Sequence, residues 1–270
     1  MKYFSFIKKI SDVLSKKCNK HIVNGFDMGI PLNIIQTTFV NLHYGENVIT
    51  NKLILLQFLI GFYTYSKDRY YDALEWEDDK FETDKQELFE FLIKYKYEYK
   101  IAYNISFIAI NLLILSELNS TIEIIPFAFF LFLTEYYKDI KRIHPLIKPS
   151  YIAIMWSFCC SILPCVLHDK DYSILNYPLD YLPIALTLFA NSNGLDIRDI
   201  KEDMFNGVKT IPVNYGLLNS QTISLLFLSL SCLIFGLNKH YIDFPIVNSI
   251  WELQNIGIAY YIFNFNNTII

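Results

Sequence analysis

Apolar residues gather along this chain into runs of helical length, at about 26–44, 51–66, 101–116, 122–137, 150–167, 178–194, 217–237 and 243–263, with polar connections between them. Runs of this length without strand-like alternation predict α-helices, and a series of eight predicts an all-α bundle. Several are shorter or more polar than the roughly 20 apolar residues of an ordinary membrane span. The first carries Asn33, Gln36, Asn41 and His43. In a bilayer, polar residues within the runs, such as Asn104, Asn111, Asp180 and Asn191, have to face the bundle interior or a water-filled cavity. A soluble all-α bundle is the alternative.

The placement of positive charge separates these readings, because only a membrane bundle has a reason to sort Lys and Arg between its two ends. Threading the runs alternately puts the N-terminal stretch and the connections at 67–100, 138–149 and 195–216 on one side. That side holds all but three of the 23 Lys and Arg, leaving only Lys52, Lys170 and Lys239 opposite. The rich side is assigned to the cytoplasm, or to a stroma or matrix, of a multi-pass integral membrane protein. Residues 1–25, with Lys2, Lys8, Lys9, Lys16, Lys17 and Lys20 among Phe4, Ile7, Ile10 and Leu14, read as a basic amphipathic arm. Residues 26–270 read as one membrane-embedded domain. The long connection at 73–96 contains an amphipathic piece around Leu88, Phe89, Phe91, Leu92 and Ile93, and a lid is its natural role.

Composition narrows the function. The chain has 270 residues, 53% hydrophobic and 17% aromatic, and its basic residues form no stripe of the kind that follows a nucleic-acid backbone, so nucleic acid is not an expected partner. Cys18, Cys159, Cys160, Cys165 and Cys232 show no paired metal spacing and read as small core residues. The five histidines lack HxxxH or HExxH spacing, and neither GxGxxG, GxxxxGK[ST] nor GxSxG occurs, which leaves zinc, nucleotide-loop and nucleophile-elbow chemistry without support.

Acid is the remaining signal. Asp68 and Asp72 are four apart, Asp196 and Asp199 three, Asp199 and Asp203 four, so each set projects from one face of a helix beside an apolar run. Like charges at such spacings repel by a few tenths of a kcal/mol per pair, a conflict that a hard divalent cation removes. Mg²⁺ prefers oxygen ligands, commonly uses one or two carboxylates, and completes its shell with water and phosphate oxygens. Two such clusters facing each other suit a diphosphate held between metal ions. Lys67, Arg69, Lys138, Lys141, Arg142, Arg198 and Lys209 lie on the same side and are candidates to neutralise its remaining charge.

These residues carry a resemblance. Asn193-Gly-Leu-Asp-Ile-Arg-Asp-Ile-Lys-Glu-Asp203, with its continuation Gly207-Val208-Lys209-Thr210, resembles the second aspartate-rich motif of the UbiA superfamily of intramembrane prenyltransferases. Thr64-Tyr-Ser-Lys-Asp68-Arg-Tyr-Tyr-Asp72 is similar to its first motif, NxxxDxxxD, with Thr64 where Asn is usual. Tyr136-Tyr-Lys138-Asp-Ile-Lys141-Arg, followed by Lys148-Pro and Trp156, resembles the connection between the family's fourth and fifth helices. The resemblance implies a UbiA-like bundle of about eight to nine helices around a central cavity. It implies that Asp68, Asp72, Asp199 and Asp203 coordinate Mg²⁺ and carry the chemistry, with Asp196 as a further metal ligand. Thr64, Arg69, Lys138, Lys141, Arg198 and Lys209 become the expected diphosphate-binding set. The implied reaction moves an isoprenyl group from an isoprenyl diphosphate to a hydrophobic or aromatic acceptor. A membrane terpene cyclase, or a non-catalytic isoprenoid-binding protein on the same scaffold, is the alternative.

Overall fold

A computed structural model describes residues 29–44, 49–78, 85–117, 134–168, 178–237 and 245–264. The expected arm at 1–25, and the predicted run at 122–137 up to residue 133, lie outside the described residues. Those described form helices and no strand: α1 (Gly29–Tyr44), α2 (Asn51–Asp78), α3 (Gln86–Lys94), α4 (Lys96–Glu117), α5 (Ile147–Ser157), α6 (Leu163–His168), α7 (Pro178–Arg198), α8 (Ile200–Phe205), α9 (Ile211–Tyr215), α10 (Leu217–Leu237) and α11 (Pro245–Asn264). A π-helical turn at Phe158–Ile162 joins α5 to α6. The predicted all-α architecture is therefore observed.

The chain divides into two compact units, one of Met1–Ile35 with Ile49–Asn119 and one of Gln36–Val48 with Ser120–Ile270. In the first, α2 packs along α4 through an aromatic ladder: Tyr63 lies 5.2 Å from Phe107 and 6.3 Å from Tyr103 between ring centroids, and Tyr70 lies 5.7 Å from Tyr103. Tyr99 donates its hydroxyl to Ser66 at 3.0 Å across the same seam. The helix α2 does not stop where its apolar run stops at 66 but continues to Asp78, so Asp68 and Asp72 stand within it. A membrane span ends where side chains turn polar, whereas a helix ends only where its backbone does. The extension is used, because α3 lays Leu88, Phe89 and Leu92 inward and Phe89 sits 5.9 Å from Trp76. The amphipathic piece expected in the long connection is thus a helix docked on its own unit.

In the second unit α7 packs against α5, α10 and α11, and the polarity of these faces is the reverse of a water-soluble core. Along α10 the buried positions include Ser220, Gln221, Ser224 and Ser231, while Leu218, Leu225, Leu226, Leu230, Leu233 and Leu237 are exposed. The inward polar groups are bonded between helices. Asn193 donates to Ser224 Oγ at 2.8 Å and to the Ser220 carbonyl at 2.9 Å. Thr187 donates to Asn255 at 2.9 Å, and Ser231 donates to the Pro183 carbonyl at 2.8 Å. Such a pattern fits lipid outside, where leucine is at no cost and buried small polar residues hold helices together. In the first unit, α4 likewise exposes Ile101, Ile105, Ile108, Leu112 and Leu115 at alternating steps of four and three and buries Tyr103, Ile110 and Ile114.

Three helical stretches, Lys96–Ser116, Ile147–His168 and Leu217–Leu237, are long and apolar enough to cross a membrane among the described residues. The chain is an integral membrane protein. Other predicted runs form helices but carry polar residues that length and composition alone do not excuse; Gln36 and Asn193, both fully buried, are examples. Asn111 is half-buried and bonds the Phe107 carbonyl at 2.7 Å. Asn104, expected to face inward, is instead exposed, one turn after the exposed Lys100 at the polar start of α4. Cys159, Cys160 and Cys165 are buried free thiols, as their apolar context predicted.

Close approach of α7 and α11 depends on Gly194. A Cβ there would stand 2.7 Å from Cγ1 of Ile262, which is itself fully buried. Gly194→Val is expected to destabilise the protein by about 1–3 kcal/mol through overpacking. Ile262→Ala should recover part of that loss in the double variant, as read by reversible unfolding in mixed micelles.

Candidate functional site

The first acidic pair stands on α2, half-buried, one turn apart. Arg69 Nη1 lies 3.2 Å from Asp72 Oδ2, and the Arg69 guanidinium sits 5.3 Å from the centre of the Tyr65 ring. Stacking and pairing together fix a long side chain that would otherwise wander. Thr64 turns its hydroxyl back onto its own helix, donating to the Ile60 carbonyl at 2.8 Å. It offers an oxygen and no amide at that position. Lys67 is buried against Tyr63, 3.3 Å from its hydroxyl.

The second cluster is built by a short sequence of local events. Helix α7 ends at Arg198, Asp199 takes φ −93° and ψ 13°, and α8 begins at once. Backbone bonds run through the junction, Asp199 N–H to the Leu195 carbonyl at 3.1 Å and Asp203 N–H to the Asp199 carbonyl at 2.9 Å. Helical spacing is thereby kept, and Asp196 and Asp203, seven apart, share a face. Gly207 then closes α8 with φ 63°, a conformation that costs other residues steric strain, and Val208 N–H reaches back to the Asp203 carbonyl at 2.8 Å. This is a Schellman closure, and it accounts for the glycine in the Gly207-Val208-Lys209-Thr210 segment.

Lys148, second residue of α5 and followed by Pro149, organises the cluster. Its Nζ lies 2.8 Å from Asp196 Oδ1 and 3.2 Å from both oxygens of Asp203. The sequence places Lys148-Pro within the resemblance but gives it no role among the site residues. Its signals were a lysine at the cation-rich end of an apolar run and a proline suited to the first turn of a helix. Asp196 and Asp203 are only 2% and 6% exposed. Burial pushes the Asp203 carboxyl up to about 7 against the pull of Lys148, with Asp196 and Asp199 adding to the rise. Burial likewise raises Asp196, which Lys148 and Lys141 counter. The second oxygen of Asp196, Oδ2, is buried and has no hydrogen-bond partner among the described residues.

The other predicted residues divide. Asp199 is held by Arg198 in a bidentate pair, Nε to Oδ1 at 2.8 Å and Nη2 to Oδ2 at 3.0 Å, at a partly exposed position. Lys141 is buried, with Nζ 5.4 Å from the Tyr137 ring centre, and its charge reaches Asp196. Lys138 is half-buried and Lys209 exposed. Thr210, just beyond Lys209, is fully buried, and its hydroxyl has no partner among the described residues.

A test of fit to a divalent cation rests on these groups. The donors are all carboxylate oxygens, the set that hard cations select, and an orphaned, buried anionic oxygen at Asp196 is a place where positive charge is missing. Among the described residues, no three His, Cys, Asp or Glu side chains converge on one point that could hold an ion. Mg²⁺ needs no more than one or two carboxylates when substrate phosphate and water fill the rest. On that count Asp196 and Asp203 fit.

No family model matches the sequence, and no curated protein does. The fold is similar to that of a solved protein, the apo structure of a UbiA homolog from Aeropyrum pernix K1, with a TM-score of 0.57 and 14% sequence identity. The likeness covers 87% of this chain and 96% of that one. The chain therefore adopts a UbiA-like all-α membrane fold.

Proposed function

We propose that this protein is an intramembrane prenyltransferase, which moves an isoprenyl group from its diphosphate to a hydrophobic or aromatic acceptor. The observation that carries the reading is the buried second cluster, where Asp196 and Asp203 share one ammonium and Asp196 keeps an unused anionic oxygen, within a fold like that of a UbiA homolog. Buried carboxylates beside lipid are expensive, and a bound cation with a phosphorylated ligand explains them.

Asp68 and Asp72 on α2, and separately Asp196, Asp199 and Asp203 in the second cluster, are proposed as metal ligands. Mg²⁺ bound there would supply charge that stabilises the departing diphosphate. Arg69, Lys138, Lys141, Arg198 and Lys209, with the Thr64 hydroxyl, are proposed to bind diphosphate oxygens. The donor carbon–oxygen bond breaks with its electrons passing to the diphosphate, the acceptor bonds to the allylic carbon, and the acceptor proton passes to a carboxylate or to the released pyrophosphate. Aromatic faces shield the cationic carbon from water and stabilise it at about 0.5–2 kcal/mol each. The cation-rich side, where both clusters lie in the alternating topology, is proposed as the cytoplasmic, stromal or matrix face.

The test is pyrophosphate release by the purified protein in micelles from a panel of allylic diphosphates, with and without membrane-extracted acceptors and with mass spectrometry of the adduct. Release should require Mg²⁺, stop with chelator and return on adding the ion. Folded protein that releases nothing across the panel would make it a binder, and release with only cyclised hydrocarbon as product would make it a cyclase.

A further inference from the structure

We propose that Lys148 is an internal counter-ion occupying the cation position between Asp196 and Asp203, and that a diphosphate must draw it away before a divalent ion can bind there. This deepens the proposed prenyl-diphosphate reading and rests on it. The geometry is specific. The ammonium has three N–H donors, and three carboxylate oxygens lie within 3.2 Å of it, one on Asp196 and two on Asp203. A metal bridging these two carboxylates would need oxygen distances of about 2.0–2.1 Å from much the same point, so the ammonium and the ion exclude each other.

Of the three side chains, only the lysine is suited to move. The carboxylates are fixed on α7 and α8 and nearly inaccessible, whereas Lys148 reaches in on a flexible four-carbon stem from the first turn of α5 with its side chain 16% exposed. Were it to leave without a substitute, two buried anions would be stranded. A phosphate oxygen gives the ammonium an equal or better partner, and the metal arriving with the diphosphate gives the carboxylates theirs. Exchange thus keeps every charge matched only when both components of the donor complex enter. Until then, Asp196 Oδ2 is the oxygen of the pair left without a hydrogen-bond partner among the described residues. Lys148 is in this account a positioning residue, which ties metal entry at the second cluster to the presence of donor.

The test uses the full chain in micelles, with Mn²⁺ as the probe ion and inorganic pyrophosphate as the second component. Bound Mn²⁺ is measured by equilibrium dialysis, corrected for the soluble Mn²⁺–pyrophosphate complex. Wild-type protein is expected to bind Mn²⁺ at the second cluster at least tenfold more tightly with pyrophosphate than without. Lys148→Met is expected to reach the tight state without pyrophosphate, and to lose that gain when combined with Asp203→Asn. Its thermal transition should fall in metal-free buffer and rise with Mn²⁺ by more than that of the wild type. Equal Mn²⁺ affinity in wild type with and without pyrophosphate overturns the proposal, and this comparison decides even if Lys148→Met does not fold. Pyrophosphate-dependent binding that is unchanged in folded Lys148→Met also overturns it, while leaving the prenyl-diphosphate reading intact. Absence of Mn²⁺ binding under every condition overturns both.

Discussion

Asp203→Asn is expected to lower Mg²⁺-dependent pyrophosphate release by roughly 10²–10³-fold, the scale on which removing one charge-stabilising group acts on a transition state that develops negative charge. The substitution keeps shape and an oxygen acceptor, and Lys148 retains Asp196 at 2.8 Å, so the local fold stays in place. What disappears is one anionic ligand at a 6% exposed position, where field strength is high and water does not compensate. The loss should appear in turnover more than in donor affinity, since the charge on the leaving group grows only as its bond breaks. Arg198→Gln provides the contrast. Its guanidinium is 42% exposed and already committed to Asp199, so screening by solvent limits the expected change to a few-fold. Steady-state release with a single allylic donor, at saturating and limiting concentrations, measures both. Equal losses in the two variants would remove the special place given to the buried carboxylate.

That contrast could not be drawn from the sequence, and the reason is physical. Helical spacing along one segment fixes which of Asp196, Asp199 and Asp203 share a face, and the observed chain keeps that spacing through the α7–α8 junction. Likewise the apolar runs mark where lipid or protein must cover a helix, and they locate α4, α10, α7 and the α5–α6 stretch closely. Periodicity speaks only of neighbours within one helix. Lys148 meets Asp203 across 55 residues of chain, and a tertiary contact of that kind leaves no local pattern. Its effect is to replace the expected repulsion among the acids with a shared ammonium. The same limit explains α2, which runs on past its apolar part because Trp76 and the residues of α3 cover its polar extension. Asn104 shows the converse: a polar residue within an apolar run is expected to face inward, but its position near a helix start lets it remain exposed.

Asp196 separates a structural role from a ligand role, and two substitutions there should behave differently. Asp196→Leu is expected to destabilise the protein by about 3–5 kcal/mol, because it removes the nearest partner of an ammonium that sits away from water. Asp203 still pairs with that ammonium at 3.2 Å, so unfolding is not complete. Asp196→Asn keeps an acceptor for Lys148 and is expected to cost about 1.5 kcal/mol. It puts an amide nitrogen where Oδ2, which has no partner among the described residues, stood, and leaves Oδ1 as a neutral oxygen that a hard cation still accepts once Lys148 has withdrawn. Pyrophosphate release by Asp196→Asn should therefore stay within about tenfold of wild type, well above Asp203→Asn on the scale used for that variant. Reversible unfolding in mixed micelles gives the stabilities, and the release assay gives the rates. A loss of activity in Asp196→Asn as large as in Asp203→Asn, with stability preserved, would mean that the anionic charge of Asp196 acts on the reaction directly; a fall in stability as large as that of Asp196→Leu would mean that the charge, and not the acceptor oxygen, is what holds Lys148 in the bundle.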